Sequence, residues 1–111
     1  MSKRSADLYI EDILSSIEKI ENYVSGMSFE DFWRDYKTID AVVRNLSIIG
    51  EASKNMPEEI KSKHTEVPWI EIVGMRNKVM HEYFGVDEEI LWKTISEDLS
   101  VFKEEILELK K

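Results

Sequence analysis

Apolar residues in the N-terminal part of the chain recur at alternating spacings of four and three. This spacing places them on one face of a helix, as a heptad-like seam that packs against other helices. The pattern predicts a first helix from about Ser5 to Ser25, and Gly26 is expected to end it. The seam consists of Ala6, Ile10, Ile13, Ile17, Ile20 and Val24.

A second seam predicts a long helix from about Lys37 to Asn55. Gly50 falls inside this helix, where glycine lowers helix stability, and its presence indicates close packing against a neighbouring helix. Ahead of it, Ser28 is a suitable N-cap, with Asp31 at the capping-box position as a weaker substitute for glutamate. The seam consists of Ile39, Val42, Val43, Leu46, Ile49 and Ala52.

Four aromatic residues follow this N-cap closely, namely Phe29, Phe32, Trp33 and Tyr36. Exposed aromatic rings of this kind can stack on nucleic-acid bases. An aromatic cluster beside a helix start is more often part of the core or a dimer contact. The sequence favours the latter two roles and leaves the first open.

Pro57 begins a short helix that ends near His64. Its Lys61 and Lys63, together with His64, form either a solvated face or a modest phosphate contact. A last helix is capped by Asp87 and runs to about Leu109. Its seam consists of Leu91, Ile95, Leu99, Phe102, Ile106 and Leu109.

The helix predicted between these two opens at Pro68-Trp69, since proline suits the first helical turn. Apolar residues at spacings of three and four predict that it reaches about Tyr83 and stops at Gly85. On an ideal helix, Arg76 and His81 lie ~140° apart and do not share a face, whereas Arg76 and Tyr83 nearly share one stripe. A second copy of the helix, related by a two-fold axis, would bring one chain's histidine near the other chain's arginine.

These elements predict an all-α, up-and-down bundle of four main helices plus a short one. The helix that carries Arg76 is expected to pack among three longer ones. Four glycines and two prolines in 111 residues agree with a mostly helical chain. The length suits a single domain over residues 1–111.

The composition excludes several kinds of site. The chain has no cysteine, so it forms no disulfide, Cys-based zinc site or cysteine nucleophile. Its two histidines lack a nearby carboxylate pattern, so neither a metal nor a cofactor is expected. No apolar run reaches membrane-spanning length and no signal peptide is evident, which predicts a cytoplasmic protein without membrane contact. The net charge of -8 opposes non-specific nucleic-acid binding, so an RNA-directed function needs a local basic patch or a basic partner.

The stretch from Arg76 to Tyr83 carries three side chains that can act on a phosphate. The forked cation of arginine matches two phosphate oxygens. The pKa of histidine lies near neutrality, so His81 can give or take a proton. The hydroxyl of Tyr83 can donate, accept or be modified. The stretch has neither the glycine-rich loop of a nucleotide binder nor the paired carboxylates of a two-metal site.

At these residues the sequence resembles the HepT family of small HEPN-domain proteins, which are toxins of the HepT/MntA toxin–antitoxin type. The resemblance covers nearly the whole chain. The sequence departs from it at Glu82, where HepT toxins often have glycine, and this places a negative charge beside the site. The motifs that carry the resemblance are DAVVRNL at 40–46, IIGEA at 48–52, PW at 68–69, GMRN at 74–77 and HEYFGVD at 81–87.

The resemblance implies a HEPN-type bundle and a metal-independent endoribonuclease that needs no cofactor. Arg76 and His81 would be the catalytic pair, with Asn77 in support. A homodimer would place this signature at its interface. The implied partners are an RNA substrate and a cognate minimal nucleotidyltransferase antitoxin, which would silence the toxin by adenylylating Tyr83.

Other interpretations stay open. One is a HEPN dimer that binds a nucleotidyltransferase without cutting RNA, which the acidic balance supports. Another is a nucleotide-binding accessory subunit, which only the cluster of Arg, Lys and His supports. Taken singly, Arg76 suits an ion pair with Glu51 or Glu71, His81 suits a helix end, and Tyr83 suits a half-buried position.

Overall fold

The computed structural model of the chain describes residues 5–81 and 85–110. Its helices form the predicted all-α bundle, to which the structure adds a short antiparallel ribbon of strands β1 (Met80–His81) and β2 (Gly85–Val86). A π-helical segment, Thr94–Asp98, joins the last two helices into one rod. The helices are α1 (Ala6–Val24), α2 (Phe29–Trp33), α3 (Tyr36–Lys54), α4 (Glu58–Lys63), α5 (Trp69–Val79), α6 (Glu88–Lys93) and α7 (Leu99–Glu108).

The predicted seams of α1 and α3 face each other and form the centre of the core, because each seam removes its apolar side chains from water. After α1, Gly26 adopts a φ of 78°, a left-handed conformation that glycine reaches without strain, so the helix ends where the sequence predicted. The fully buried seam residues are Ile13, Ile17 and Ile20 of α1 and Val42, Leu46 and Ile49 of α3.

Side-chain caps fix where α2 and α3 begin. Ser28 Oγ accepts from the Asp31 N–H, and Asp31 Oδ2 accepts from the Ser28 N–H, each at 3.1 Å. These two bonds complete the predicted capping box. At α3, Asp35 accepts from the backbone N–H of Thr38 at 3.1 Å and from its hydroxyl at 2.8 Å. The same bonds lower the pKa of the Asp35 carboxyl.

Helices α3 and α5 approach closely at Gly50. A Cβ built on Gly50 would lie 3.7 Å from the carbonyl oxygen of Val73 and 3.8 Å from that of Ile72. These are ordinary van der Waals distances, so alanine would fit, whereas a longer side chain would push α5 away. The close packing that the sequence indicated at this glycine is therefore present.

The π-helical segment was not predicted from the sequence, which indicated one regular helix from Asp87 to Leu109. Leu91, Ile95 and Leu99 are spaced by four, and two such steps drift by ~80° around an ideal α-helix. A π turn takes in one extra residue and counteracts this drift. All three side chains are consequently buried, with at most 8% of each exposed.

Candidate active site

Helix α5 carries Arg76 and is anchored at its first residue. The indole Nε1 of Trp69 donates to the carbonyl oxygen of His64 at 3.0 Å, and the Trp69 side chain is buried. The Ile72 N–H donates to the Pro68 carbonyl oxygen at 3.0 Å, which closes the first turn. The predicted start of the helix at Pro68-Trp69 is therefore confirmed.

The buried face of α5 fixes how the helix is rotated. Trp69, Ile72, Met75 and Val79 are spaced by three, three and four, and all four side chains are buried. Asn77, the proposed supporting residue, falls on the opposite side and is exposed, as is its neighbour Lys78. Arg76 stands between Met75 and Asn77 in the helix, and its side chain lies outside the described part of the structure.

Helix α5 ends at Val79, so the prediction that it continues to Tyr83 is wrong. Met80 pairs with Val86 and His81 with Gly85, which places His81 on an extended strand. The carbonyl of Val79 has no partner within the helix and instead accepts from the Asp87 N–H at 2.6 Å. Backbone bonds to β2 and Asp87 thus replace the next turn of helix.

This ending changes the geometric argument for the site. The ~140° offset between Arg76 and His81 applies to an ideal helix and does not apply across the change to strand. The same holds for the stripe predicted to join Arg76 and Tyr83. Tyr83 and Glu82 lie outside the described residues, as does the side chain of His81. The structure brings the backbones of Arg76 and His81 to the same end of α5.

A cleft beside the ribbon was not predicted from the sequence. It is lined by Trp33, Val86 and the acidic residues Asp87, Glu88 and Glu89. Asp87 caps α6 as predicted, with its Oδ1 accepting from the Ile90 N–H at 3.1 Å. The carboxylates occupy the start of α6, where the helix dipole favours negative charge. No sequence signal relates Trp33 to Val86, because the cleft that both residues line depends on how α2 packs against α6.

A second cleft of about 340 Å³ separates α5 from the last helix. Its lining includes the apolar residues Ile72, Met75 and Phe102 and the charged residues Lys78 and Glu105. Burial, followed by the nearby charge of Glu66, raises the pKa of Glu105. This cleft was not predicted from the sequence either, because it depends on the spacing between two helices.

His64 is engaged in local contacts at the far end of α5. Its Nδ1 lies 3.3 Å from Glu66 Oε1, and Lys61 Nζ donates to the Lys54 carbonyl oxygen at 2.9 Å. These contacts agree with a structural role for the cations near the end of α4. Among residues 5–81 and 85–110, no group of three or more His, Asp or Glu side chains could hold a metal ion. No helix in the same ranges is long and apolar enough to cross a membrane.

Comparison with known proteins relates this chain to ribonucleases. A probable ribonuclease HepT of Thermococcus cleftensis is 50% identical over 109 residues, covering 98% of this chain and 99% of that protein. A candidate RNase of Caldanaerobacter subterraneus subsp. tengcongensis is 48% identical over 101 residues, covering 91% and 90% of the two chains. A candidate RNase of Methanocaldococcus jannaschii is 38% identical over 106 residues, covering 96% and 97%. No solved structure matches. The family model described as ribonuclease HepT-like matches residues 13–109, and the chain therefore belongs to the HepT-like ribonuclease family.

Proposed function

We propose that this chain is an endoribonuclease that cleaves RNA without a metal ion, with Arg76 and His81 as its catalytic pair. The observation that carries the proposal is the junction of α5 and β1. Arg76 stands in the helix three residues before its end, and His81 stands in the strand that follows at once. Family membership and the ribonuclease names of the relatives support the same activity.

The reaction needs a proton acceptor, a proton donor and charge stabilisation, because RNA carries its own nucleophile in the ribose 2′-OH. A base removes the 2′-OH proton, O2′ forms a bond to phosphorus, and the bond from phosphorus to the 5′-oxygen breaks as an acid protonates that oxygen. The products are a 2′,3′-cyclic phosphate and a 5′-hydroxyl. His81 supplies the imidazole for proton transfer, and Arg76 balances the charge on the phosphoryl oxygens. Asn77 supports the substrate from the exposed side of α5.

The active form is proposed to be a homodimer with the two α5–β1 junctions facing each other. One chain has two histidines, and His64 precedes α5 whereas His81 follows it. Eleven helical residues separate them by about 16 Å, so a single chain presents only one histidine to a scissile phosphate. A second copy would supply the second imidazole, so that one acts as base and the other as acid.

The proposed partner is a nucleotidyltransferase antitoxin that modifies Tyr83. The phenol oxygen would attack the α-phosphorus of ATP, pyrophosphate would leave, and a base of the partner would take the phenol proton. The product carries an AMP group two residues after His81 in the sequence. Its bulk and negative charge would oppose an incoming RNA phosphate by steric exclusion and repulsion.

A second candidate function is a dimer that binds a nucleotidyltransferase but does not cut RNA. The observation that favours it is the row of carboxylates at Asp87, Glu88 and Glu89 beside the ribbon that carries His81. These groups repel RNA phosphates, and so does the net charge of -8 on the chain. Cleavage by the purified chain separates the two candidates.

The test compares the purified wild-type chain with Arg76→Ala and His81→Ala on cellular RNA. The wild type is expected to leave 2′,3′-cyclic phosphate ends in the presence of EDTA, since the reaction uses no metal. Each substitution is expected to slow cleavage by about a hundredfold or more while circular dichroism and thermal unfolding stay close to those of the wild type.

His64→Ala is the matched control, because it removes the other histidine of the chain. Cleavage should survive this change. Full activity in Arg76→Ala or His81→Ala would remove that residue from the mechanism. An inactive wild-type chain would favour the non-catalytic dimer. Sedimentation of the wild type as a monomer under assay conditions would contradict the two-histidine site.

A further inference from the structure

The corner between α2 and α3 exposes two aromatic rings and two cations within five residues. Trp33 is 46% exposed and Tyr36 is 79% exposed. Arg34 and Lys37, which alternate with them, are also exposed. We call Trp33, Arg34, Tyr36 and Lys37 the aromatic–basic corner. A contiguous exposed apolar patch that is bordered by charged residues can mark an interaction site, so the corner is a candidate binding surface.

Within the corner, Trp33 is held in place by aromatic contacts. The ring of Trp33 packs edge-on against Phe29, with the ring centroids 5.7 Å apart. Phe29 and the fully buried Phe32 in turn lie against Trp92, at 6.0 and 5.2 Å between centroids. Contacts of this kind fix the ring planes. Trp33 therefore offers its exposed part to a ligand without losing much conformational freedom on binding.

The corner holds carboxylates as well as cations. Its two carboxylates, Asp31 and Asp35, are engaged as caps of α2 and α3 and accept backbone N–H groups. Arg34 and Lys37 form no ion pair with any residue of the described ranges. The charge of Lys37 acts on the neighbouring Asp35, so an anionic ligand competes with that carboxylate for Lys37. Arg34 can meet an anionic ligand without displacing an ion-pair partner from the described ranges.

The corner adjoins the ribbon that carries His81. Trp33 and Val86 line the same cleft, and Val86 pairs with Met80 in the neighbouring strand. Adjacent strands lie about 4.8 Å apart, so the surface runs from Trp33 across β2 to β1. Glu88 and Glu89 line the same cleft and repel phosphates. Arg34 follows Trp33 directly in the chain, so a cation adjoins the aromatic residue that lines the cleft.

We propose that the aromatic–basic corner binds single-stranded RNA next to the scissile phosphate. A base stacks on Tyr36 or Trp33, and the flanking phosphates meet Arg34 and Lys37. Stacking needs an open base face, which a duplex does not offer, so the substrate is a single-stranded segment. This inference rests on the proposed ribonuclease function and adds the class of RNA that it acts on.

The test measures RNA binding in a His81→Ala background, so that the probe is not cut. Fluorescence anisotropy of a labelled oligouridylate gives the dissociation constant at several salt concentrations. Tyr36→Leu is expected to raise it by about fivefold or more, because stacking contributes ~1–3 kcal/mol per base. Tyr36→Phe retains the ring and should bind as the background does. Trp33→Leu should weaken binding in the same direction as Tyr36→Leu.

Lys37→Glu tests the phosphate contact against a matched control, Lys63→Glu, which makes the same charge change at the last residue of α4. Lys37→Glu should weaken binding. It should also make the slope of log affinity against log salt concentration shallower by the amount that corresponds to about one phosphate contact. Lys63→Glu should change neither. A labelled duplex of the same length should bind more weakly than the single strand, and this difference should shrink in Tyr36→Leu.

Two measurements separate this inference from the proposed function. If the wild type cuts RNA while the corner variants bind and cut like their parent chains, the corner proposal is overturned and the nuclease proposal stands. If the wild type cuts nothing but Tyr36→Leu and Lys37→Glu still lose RNA binding, the corner proposal stands and the nuclease proposal fails. A His81→Ala chain that binds no RNA, or corner variants that lose self-association but keep RNA affinity, would also overturn the corner proposal.

Discussion

The backbone N–H of Asp87 donates to the carbonyl oxygen of Val79 at 2.6 Å. Val79 is the last residue of α5, so no backbone N–H of the helix is available to its carbonyl oxygen. The bond joins the start of α6 to the end of the helix that carries Arg76, and the ribbon that carries His81 lies between them. The relative position of the Arg76 and His81 backbones therefore depends on the hydrogen bond between Asp87 and Val79 as well as on α5.

We expect the amide hydrogen of Asp87 to exchange slowly with solvent, although Asp87 lies outside α5 and α6. Its donation to Val79 protects it as long as the ribbon stays closed. The amide of Glu88 is the control, because N–H groups in the first turn of a helix lack helical partners. Hydrogen exchange followed by NMR measures both. Equal rates for the two amides would show that the closure opens often.

Gly50→Ala is expected to stabilise the chain by about 0.5–1 kcal/mol, because alanine has the higher helix propensity and its Cβ meets only ordinary contacts from Ile72 and Val73. Gly74→Ala is the matched control within α5, since a Cβ there would meet no described atom within 4 Å apart from its chain neighbours and the backbone of its own helix. Gly50→Leu should destabilise the chain by separating α3 from α5. Urea unfolding gives all three values. A destabilised Gly50→Ala next to a stabilised Gly74→Ala would show that the helices are packed more tightly than these distances indicate.

Ser53→Ala is expected to leave stability unchanged or to raise it by up to about 1 kcal/mol. Ser53 is fully buried, and its Oγ has no hydrogen-bond partner among residues 5–81 and 85–110. Removing this hydroxyl therefore removes the cost of burying an unpaired polar group. Ser47→Ala is the control on the same helix, because Ser47 Oγ donates to the Val43 carbonyl oxygen at 3.1 Å. Thermal unfolding of both variants tests this. A clear loss of stability in Ser53→Ala alone would reveal a bond that forms in solution.

Glu105→Gln is expected to raise the free energy of unfolding at neutral pH. Burial and the charge of Glu66 raise the pKa of Glu105 above 4.5, so the folded chain binds this proton more tightly than the unfolded chain. The ionised carboxylate therefore costs stability above its folded pKa. The gain from glutamine should shrink as pH falls through the raised pKa and disappear below the ordinary value.

Urea unfolding at a series of pH values measures this gain. Glu104→Gln is the control, because it removes one negative charge from an exposed neighbour and so tests the effect of the net charge of -8. The same pH profile in both variants would mean that total charge, and not the environment of Glu105, sets the effect.

Much of the fold could be predicted because its determinants are local. The spacing of Ile13, Ile17 and Ile20 alone defines the buried face of α1, and all three are fully buried. The capping box of Ser28 and Asp31 is likewise formed within four residues. Period and caps are properties of short segments, so they can be recognised before any tertiary contact is known.

The arrangement around the candidate site could not be predicted in the same way. Met80 extends the helical pattern, but its backbone pairs with Val86, and Val79 is capped by the distant Asp87. These bonds depend on the chain turning back between them, which apolar spacing does not encode. The β-forming Tyr83-Phe84 before Gly85 was the available signal for a short ribbon. The cleft that Trp33 and Val86 line together depends on packing between distant segments.

Tyr83→Phe is expected to block adenylylation and to spare much of the proposed ribonuclease activity. The reason is chemical, since the phenol oxygen is the acceptor for the nucleotidyl group, whereas proton transfer in cleavage is assigned to His81. The variant should therefore remain toxic when the proposed nucleotidyltransferase antitoxin is co-expressed, whereas the wild type should be silenced. Intact-mass and peptide mass spectrometry after co-expression locate the AMP group. Tyr9→Phe is a matched control that removes a hydroxyl from α1, far along the sequence, and it should be modified and silenced as the wild type is. AMP on another residue, or silencing of Tyr83→Phe without any modification, would show that the partner acts by a different acceptor or by binding alone.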